Sequence, residues 1–519
     1  MDTIHTLSAS YSHKVKSAAA LRDIVGKRPR DKTVIMCHGV FDVVHPGHLR
    51  HLVYAKSKAD ILIASITADV HITKGQYRPH VPQDLRALNL AALEIVDYVI
   101  IDPNPTPVAN IATIEPEYFA KGYEYVAQGM PPKTSEEAEV VRGYGGEIIF
   151  TPGDIVYSSS KLIELAPPSI RMEKLLSMMH GDNLTWSDLA RALDQLKGKR
   201  VHVLGDTIVD SYTQTACIGG QTKTPTMSVL FERKIDYIGG AGIVAKHLRA
   251  AGAEVVFSTV LGDDPLADFV LEGLEKDGIE CNAVRDATRP TTNKNAIVAG
   301  GYRLVKIDTL DNRSISDEIV AKFCDGLAHV SADAVVMSDF RHGIFNLRTI
   351  PTLVGAIPKA AYKVADSQVA TRWGNITDFK GFDLITPNER EARFALADQE
   401  SGVRPLASAI YDAAQCKTLI LKLGDRGVLT CRSRDHERLD SFFVVDSFVD
   451  NLIDAVGAGD ALLAYSTLSM LATKSVAIAT ILGSMAAACE CEVDGNIPIT
   501  LDRMRQKLDH MERLANYGG

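Results

Sequence analysis

Two short stretches carry the side chains best suited to chemistry. "GVFDVVHPGH" (Gly39–His48) follows the apolar run "TVIM", and "DAVGAGDALLA" (Asp454–Ala464) opens an apolar helical pattern. In the first, Pro46 fits the opening turn of a helix, where its missing N–H has no partner in any case. The bare N–H groups and positive dipole end of that helix then face whatever sits above the strand end, which suits an anion such as a nucleoside triphosphate. His45 and His48, three apart, share one face of the turn. Gly39 lets the backbone come close to a ligand, and Asp42 is placed to orient a sugar or a histidine. In the second stretch, Gly457, Ala458 and Gly459 start a helix with bare N–H groups, an anion hole for a transferring phosphoryl group. Asp460 at the end of that turn is placed to take a proton from an attacking hydroxyl.

Plainer readings stand beside these. Cys37, His38, His45 and His48 would make a zinc site only with a spacing that matches no common zinc pattern. The two histidines would serve equally as a structural pair, and Gly-Ala-Gly-Asp as a tight strand-to-helix turn. The elements around the motifs narrow the choice.

Short β-rich runs ("TVIM", "ILIASI", "YVIID", "EIIFTP") alternate with helical patterns over the first third of the chain, as in a parallel sheet with crossover helices. A second alternation starts at "RVHVLGDTIVD" and runs to the C-terminus. Between them, Pro167 and Pro168 punctuate a boundary, and "NLTWSDLARALDQL" has an Asn cap signal and apolar residues at helical spacing. The expected division is a helical extension over 1–30, a first α/β domain over 31–166, a helical linker over 167–198 and a second α/β domain over 199–519.

Length and composition agree with a soluble multidomain protein: 519 residues, 46% hydrophobic and 23% charged. A formal charge of −9 argues against sequence-independent nucleic-acid binding. The eight cysteines form no framework, which fits free thiols in a reducing compartment. "SVAIATILGSMAAAC" is too short to span a bilayer and reads as a buried helix. With no signal-peptide core near the start, a cytoplasmic protein without membrane or nucleic-acid partners is expected.

The first motif matches, position by position, the G-x-F-D-x-x-H-x-G-H signature of the nucleotidyltransferase superfamily that includes the cytidylyltransferases. "TKGQYRP" resembles the family's K-G-x-x-R-P segment, with Lys74, Arg78 and, on the helix after it, Arg86 as the cations facing the phosphates. "YFAKGYEY" resembles the V-K-G-x-x-Y segment, through Lys121 and Gly122. "YSSSKLI" resembles the terminal nucleotide-binding turn, through Ser158, Ser159 and Ser160. The resemblance implies a Rossmann-like domain in which Gly39, Phe41, Asp42, Arg78, Lys121, Gly122 and the three serines hold the nucleotide. It also implies that His45, His48 and Lys74 stabilise charge on the phosphates.

The second domain resembles the ribokinase-like (PfkB) sugar kinases. "GGAGIVAKHLRAAGAE" matches their G-G-A-x-N-x-A segment through Gly239 and Gly240. "TPNEREA" carries their N-x-x-E element, where Asn388 and Glu391 organise Mg²⁺. "LKLGDRGVL" supplies Lys422, Gly424 and Gly427 before the nucleotide, "GDTIVD" supplies Asp206 and Asp210 for sugar hydroxyls, and "SDFRHG" resembles the S-D-Y-x-K-G run of heptose-phosphate kinases. The resemblance implies an αβα sandwich with a small β lid, built from about 213–240 and 291–308, through which such kinases often dimerise. Ala455 and Val456 stand where a Thr is common, Ile243 where a substrate-contacting Asn is usual, and "ADSQ" (Ala365–Gln368) replaces D-P-K.

Together the two domains resemble the bifunctional enzymes of ADP-heptose synthesis, with the domain order reversed. The expected activities are a sugar-phosphate kinase using ATP and a sugar-1-phosphate nucleotidyltransferase using ATP or CTP, both with Mg²⁺. The expected partners are sugar phosphates, nucleoside triphosphates and a second copy of the chain. The same two domains would also serve a CDP-activated sugar or polyol, and a regulatory sensor with an inactive kinase half is a third reading.

Overall fold

A computed structural model describes residues 10–72, 78–122, 132–151, 171–220, 227–368 and 375–517. The β-rich runs of the first domain form strands β1 (Val34–Gly39), β2 (Ile61–Thr67), β3 (Tyr98–Asp102), β4 (Tyr118–Gly122) and β5 (Glu147–Thr151). They pair in parallel in the order β3-β2-β1-β4-β5. Helix α1 (Ala18–Val25), capped by Ser17, buries Leu21 and Val25 against β1 and β2 residues such as Met36 and Ile63. The helix of the N-terminal extension is thus packed onto the domain. Helix α2 (Pro46–Lys56) follows β1, and α3 (Gln83–Ala91) precedes β3.

Between the domains lie α6 (Arg171–Gly181) and α7 (Trp186–Asp194); α4 (Val108–Ile114) and α5 (Pro132–Gly143) come before them. The expected linker helices behave differently from a tether. Leu175, Met179, Leu189 and Leu193 are buried in the core of the second domain, and a Thr185–Asp188 capping box, in place of the expected Asn183 cap, starts α7.

Among the described residues the second domain is built on a sheet of nine strands, which include β9 (Glu254–Leu261), β10 (Glu280–Arg285) and β15 (Leu384–Ile385), in the order β10-β9-β6-β13-β14-β15-β16-β17-β18. Those that carry site residues are β6 (Arg200–Gly205), β13 (Ala334–Asp339), β14 (Tyr362–Ser367) and β16 (Thr418–Lys422). Pairing is parallel from β10 to β16 and antiparallel at β17 (Val428–Cys431) and β18 (Phe442–Val445). Parallel strands buried on both faces need near-continuous apolar runs, and "AVVM" in β13 and "TLIL" in β16 are such runs. A separate four-stranded sheet, β12-β11-β7-β8, is the lid: β7 (Thr207–Gly220), β8 (Met227–Gly240), β11 (Asn293–Ala299) and β12 (Tyr302–Thr309). Helices α14 (Ala458–Thr473) and α15 (Val476–Cys491) are almost wholly buried and pack on each other, followed by α16 (Leu501–Tyr517). Among the described residues, no helix is long and apolar enough to cross a membrane.

Candidate active sites

In the first domain, β1 ends at a turn in which Phe41 takes a left-handed φ of 50°. His45 caps α2, its Nδ1 accepting the Gly47 N–H at 3.1 Å. That bond leaves the proton of the neutral ring on Nε2. The His45 and His48 rings stack with centroids 3.9 Å apart, and Phe41 lies 5.0 Å from His48. Burial pulls the His48 pKa down to about 4, with His45 and His51 adding to it; burial and Arg50 lower that of His45. Both imidazoles are therefore neutral near pH 7.

Asp42 is buried and accepts Arg78 Nε at 3.2 Å, the His80 N–H at 3.1 Å and the Val81 N–H at 2.8 Å. It thereby docks the Arg-Pro segment onto the His-Pro-Gly-His turn. Lys121 is buried beside Glu137 at 2.7 Å, and Gly122 ends β4 next to it. Arg86, expected among the phosphate cations, is fully buried. Its donors go to the carbonyls of Val81, Val40 and Thr67 and to Asp69, so it braces the strand ends from beneath. Lys74, Ser158, Ser159 and Ser160 lie outside the described residues.

In the second domain, Gly457, with a φ of +85°, caps α14. One of the three N–H groups expected to be bare closes the turn instead: Ala458 donates to the Ala455 carbonyl at 3.5 Å, and beyond it Asp460 donates to that of Gly457 at 2.9 Å. Asp460 is buried with Oδ1 unbonded. Burial, then the charge of Asp366, hold its pKa well above the usual carboxylate range, while Lys422 opposes them. Lys422, at the end of β16, reaches both oxygens of Asp366 at 3.0 and 3.1 Å. Its Nζ lies 3.1 Å from where a Cβ of Gly459 would be, so the ammonium sits directly against the turn. Asp366 belongs to the "ADSQ" departure; sequence reading passed over it because its partner is far along the chain.

Asn388 and Glu391 form a capping box at the start of α12 (Glu389–Leu396), with Asn388 Nδ2 also donating to Glu391 Oε1 at 2.6 Å. Gly424 and Gly427 take positive φ, and a Cβ at Gly427 would lie 2.1 Å from the Val445 carbonyl. Gly239 lies so close to Asp210 that a Cβ there would stand 2.0 Å from Oδ2; at Gly240, with a φ of +61°, a Cβ would stand 2.5 Å from the Asp206 carbonyl. Asp210 accepts Asn496 Nδ2 at 2.9 Å. Asp206, expected beside it as a sugar ligand, accepts the N–H groups of Phe340, His342 and Ile344 and so shapes the Phe340–Gly343 turn. Asn496 and Asp366 are the site neighbours that no local motif marked.

One cleft of about 1740 Å³ joins these groups. Asp210, Lys294 and Lys306 line it together with Gly457–Asp460, Lys422–Gly427 and, from the first domain, Arg78 and His80. Among the described residues no group of three or more His, Cys, Asp or Glu is set to hold a metal ion. Asp366 and Glu391, within electrostatic reach of Asp460, suit an ion such as Mg²⁺, which usually keeps several waters and takes one or two carboxylates plus phosphate oxygens.

Comparison with known proteins places two family models on the chain: pfkB family carbohydrate kinase over residues 200–502 and cytidylyltransferase-like over residues 36–165. The bifunctional protein HldE of Bradyrhizobium sp. (strain ORS 278) is 28% identical over 342 residues, 64% of this chain and 67% of that protein. HldE of Rhodopseudomonas palustris (strain BisB5) is 27% identical over 326 residues, 61% of this chain and 64% of its own. HldE of Syntrophotalea carbinolica is 35% identical over 141 residues, 27% of this chain and 28% of its own. These matches span about two thirds or less of the relatives' lengths. Among solved structures, phosphofructokinase-2 from Escherichia coli in complex with potassium superposes with a TM-score of 0.51 at 17% identity, covering 61% of this chain and all of that one. At that identity the likeness concerns the fold.

Proposed function

The chain belongs to the pfkB family of carbohydrate kinases and carries a cytidylyltransferase-like domain before the kinase, and from that premise we propose that it makes a nucleotide-activated sugar of the ADP-heptose type. The kinase would phosphorylate a sugar phosphate at its anomeric hydroxyl, and the transferase would join a nucleotide to a sugar 1-phosphate. The relatives named HldE support the pairing. The observation that carries the kinase half is the cleft lined by Asp460, Asp210 and Lys422, the last of which is paired with Asp366.

In the kinase, Asp210 accepts a sugar hydroxyl, and Asp460 Oδ1 takes the proton of the attacking anomeric hydroxyl as it bonds to the γ-phosphorus and ADP leaves. Lys422 and the Gly457–Gly459 turn face the charge that develops on the phosphoryl oxygens. Gly424 and Gly427 let the backbone approach the nucleotide. Asn388 and Glu391 order the carboxylate side of the site, and Mg²⁺ bound with the triphosphate would neutralise phosphate charge. Lys294 and Lys306, which lie within electrostatic reach of Asp210, suit an acceptor that already carries a phosphate.

In the transferase, a sugar phosphate oxygen attacks the α-phosphorus in line and pyrophosphate leaves, with no covalent protein intermediate. His45 and His48 donate N–H groups to the phosphates; Arg78, Lys74, Lys121 and Ser158–Ser160 complete the cradle.

The apolar residues exposed on the lid strands, among them Leu230 and Phe231 on β8 and Tyr302 and Val305 on β12, suit a homodimer through the lid. The free cysteines suit a reducing cytoplasm. The test is ADP formation over a panel of sugar phosphates, including a heptose phosphorylated on its terminal carbon, with pyrophosphate release from ATP and from CTP over sugar 1-phosphates. Turnover of the heptose and of ATP supports the proposal. A preference for CTP with a polyol phosphate points to CDP-activated products, and no turnover in either half contradicts it.

A further inference from the structure

Glu490, at the end of α15, belongs to neither motif. It is fully buried, and neither carboxylate oxygen has a well-formed hydrogen bond. Gly457 lies against it: a Cβ there would stand 2.9 Å from Glu490 Oε1 and 2.6 Å from Asn496 Oδ1. Asn496 Oδ1 is buried and unbonded too, while its Nδ2 donates to Asp210 Oδ2 at 2.9 Å. That second bond settles the amide orientation, so an oxygen that only accepts flanks the same point as the carboxyl. Both buried, unbonded oxygens stand around the one point that a Gly457 Cβ would occupy, and a proton on the carboxyl would give each of them a partner.

We propose that Glu490 is a positioning residue of the sugar site: its carboxyl O–H donates to Asn496 Oδ1 and aims the amide whose Nδ2 holds Asp210. The relay runs from α15 through the Gly495–Asn496 turn to β7, beneath the Gly457 turn, whose missing side chain makes room for it. It rests on the reading of Asp210 as the ligand of a sugar hydroxyl. The charged groups around Glu490 agree with a neutral acid. Burial holds its pKa up at about 8, and Asp460 on α14 and Asp454 in the preceding loop add to this; the nearby Ile497 N–H and Arg503 on α16 oppose them. On the Asp210 side, Lys294, Lys306 and Arg303 face the carboxylate. Once Glu490 ionises, Asn496 loses its donor and Asp210 its fixed partner, so sugar affinity is lost on the alkaline side.

The experiment measures KM for the terminally phosphorylated heptose, kcat and nucleotidyl transfer in the full chain across pH, for wild type, Glu490→Gln, Glu490→Leu and Asp210→Ala. The Gln amide can donate as the neutral acid does, so Glu490→Gln should keep the wild-type KM at neutral pH. It should also lose the rise in KM that wild type shows as pH passes about 8. Glu490→Leu should raise KM about tenfold with a smaller change in kcat, and transfer by the first domain should be unaffected in every variant. If Gln is as impaired as Leu, the site needs an ionised carboxylate, and the proposal is overturned. It is also overturned if Leu matches wild type. If Asp210→Ala leaves KM unchanged, the reading of Asp210 itself fails, whatever Glu490 does.

Discussion

Asp69 and Arg404 meet across the boundary between the two domains, Oδ2 to Nη2 at 3.4 Å, and both are buried. Asp69 also pairs with Arg86 at 2.6 Å, so one carboxylate serves two buried guanidiniums. Asp69→Asn strands both charges. It is expected to cost about 3–5 kcal/mol of stability, as for removal of one partner of a buried pair. Arg404→Met leaves the Asp69–Arg86 pair whole and should cost clearly less. Urea unfolding of the two variants decides; a more damaging Arg404→Met would contradict the shared-carboxylate account.

Gly47 is the tightest point of the His-Pro-Gly-His turn. A Cβ there would lie 2.9 Å from His45 Cε1 and 3.1 Å from Nδ1, so Gly47→Ala must push the ring out of its stack on His48. Nucleotidyl transfer is expected to fall about 10²-fold, the usual effect of losing an oriented donor, with kinase turnover and melting temperature nearly unchanged. Wild-type transfer rates in this variant would mean that the stack has no part in the reaction.

His51 supplies a pH test. Its Nδ1 lies 2.8 Å from Thr151 Oγ1, and burial, then the Lys121 charge, pull its pKa down to about 4. As pH falls, the unfolded chain takes up this proton first, from the ordinary value of 6.5 downward. The stability His51 gives is therefore full above pH 6.5 and is lost steadily as pH falls to about 4. Relative to His51→Gln, whose residue 51 does not titrate, wild type should lose its advantage over that window, as read by urea unfolding. A difference that grows on acidification would show that the ring is charged in the folded domain.

What the sequence made legible follows the range of the physics involved. Strand runs, capping residues and the glycine turns are local, and the two sheets, the lid strands and the turns at Gly47, Gly427 and Gly457 stand where periodicity and motif put them. Choice of partner is not local. Lys422 read as a nucleotide cation, but that it faces Asp366 depends on β14 and β16 flanking β15 in one sheet. Arg86 looked like a phosphate ligand because exposed and buried arginines spell alike; only the closing of carbonyls around it shows it as a brace. Asp206 and Asp210 stand four apart on one short run, yet one serves backbone N–H groups and the other meets the cleft. The helices between the domains carried the right pattern, and their apolar faces found the kinase core, not solvent.

The central claim is that one chain holds two separate transferase chemistries, one at His45 and His48 and one at Asp460. The most direct test measures both activities, ADP formation on the sugar phosphate and pyrophosphate release with the sugar 1-phosphate, in His48→Ala and Asp460→Asn. The account predicts a double dissociation. His48→Ala should lose about 10²–10³ in transfer and keep its kinase rate, while Asp460→Asn should lose about 10²–10⁴ in kinase rate and keep its transfer. Loss of both activities in either variant, or normal kinase turnover without the Asp460 carboxylate, would contradict it.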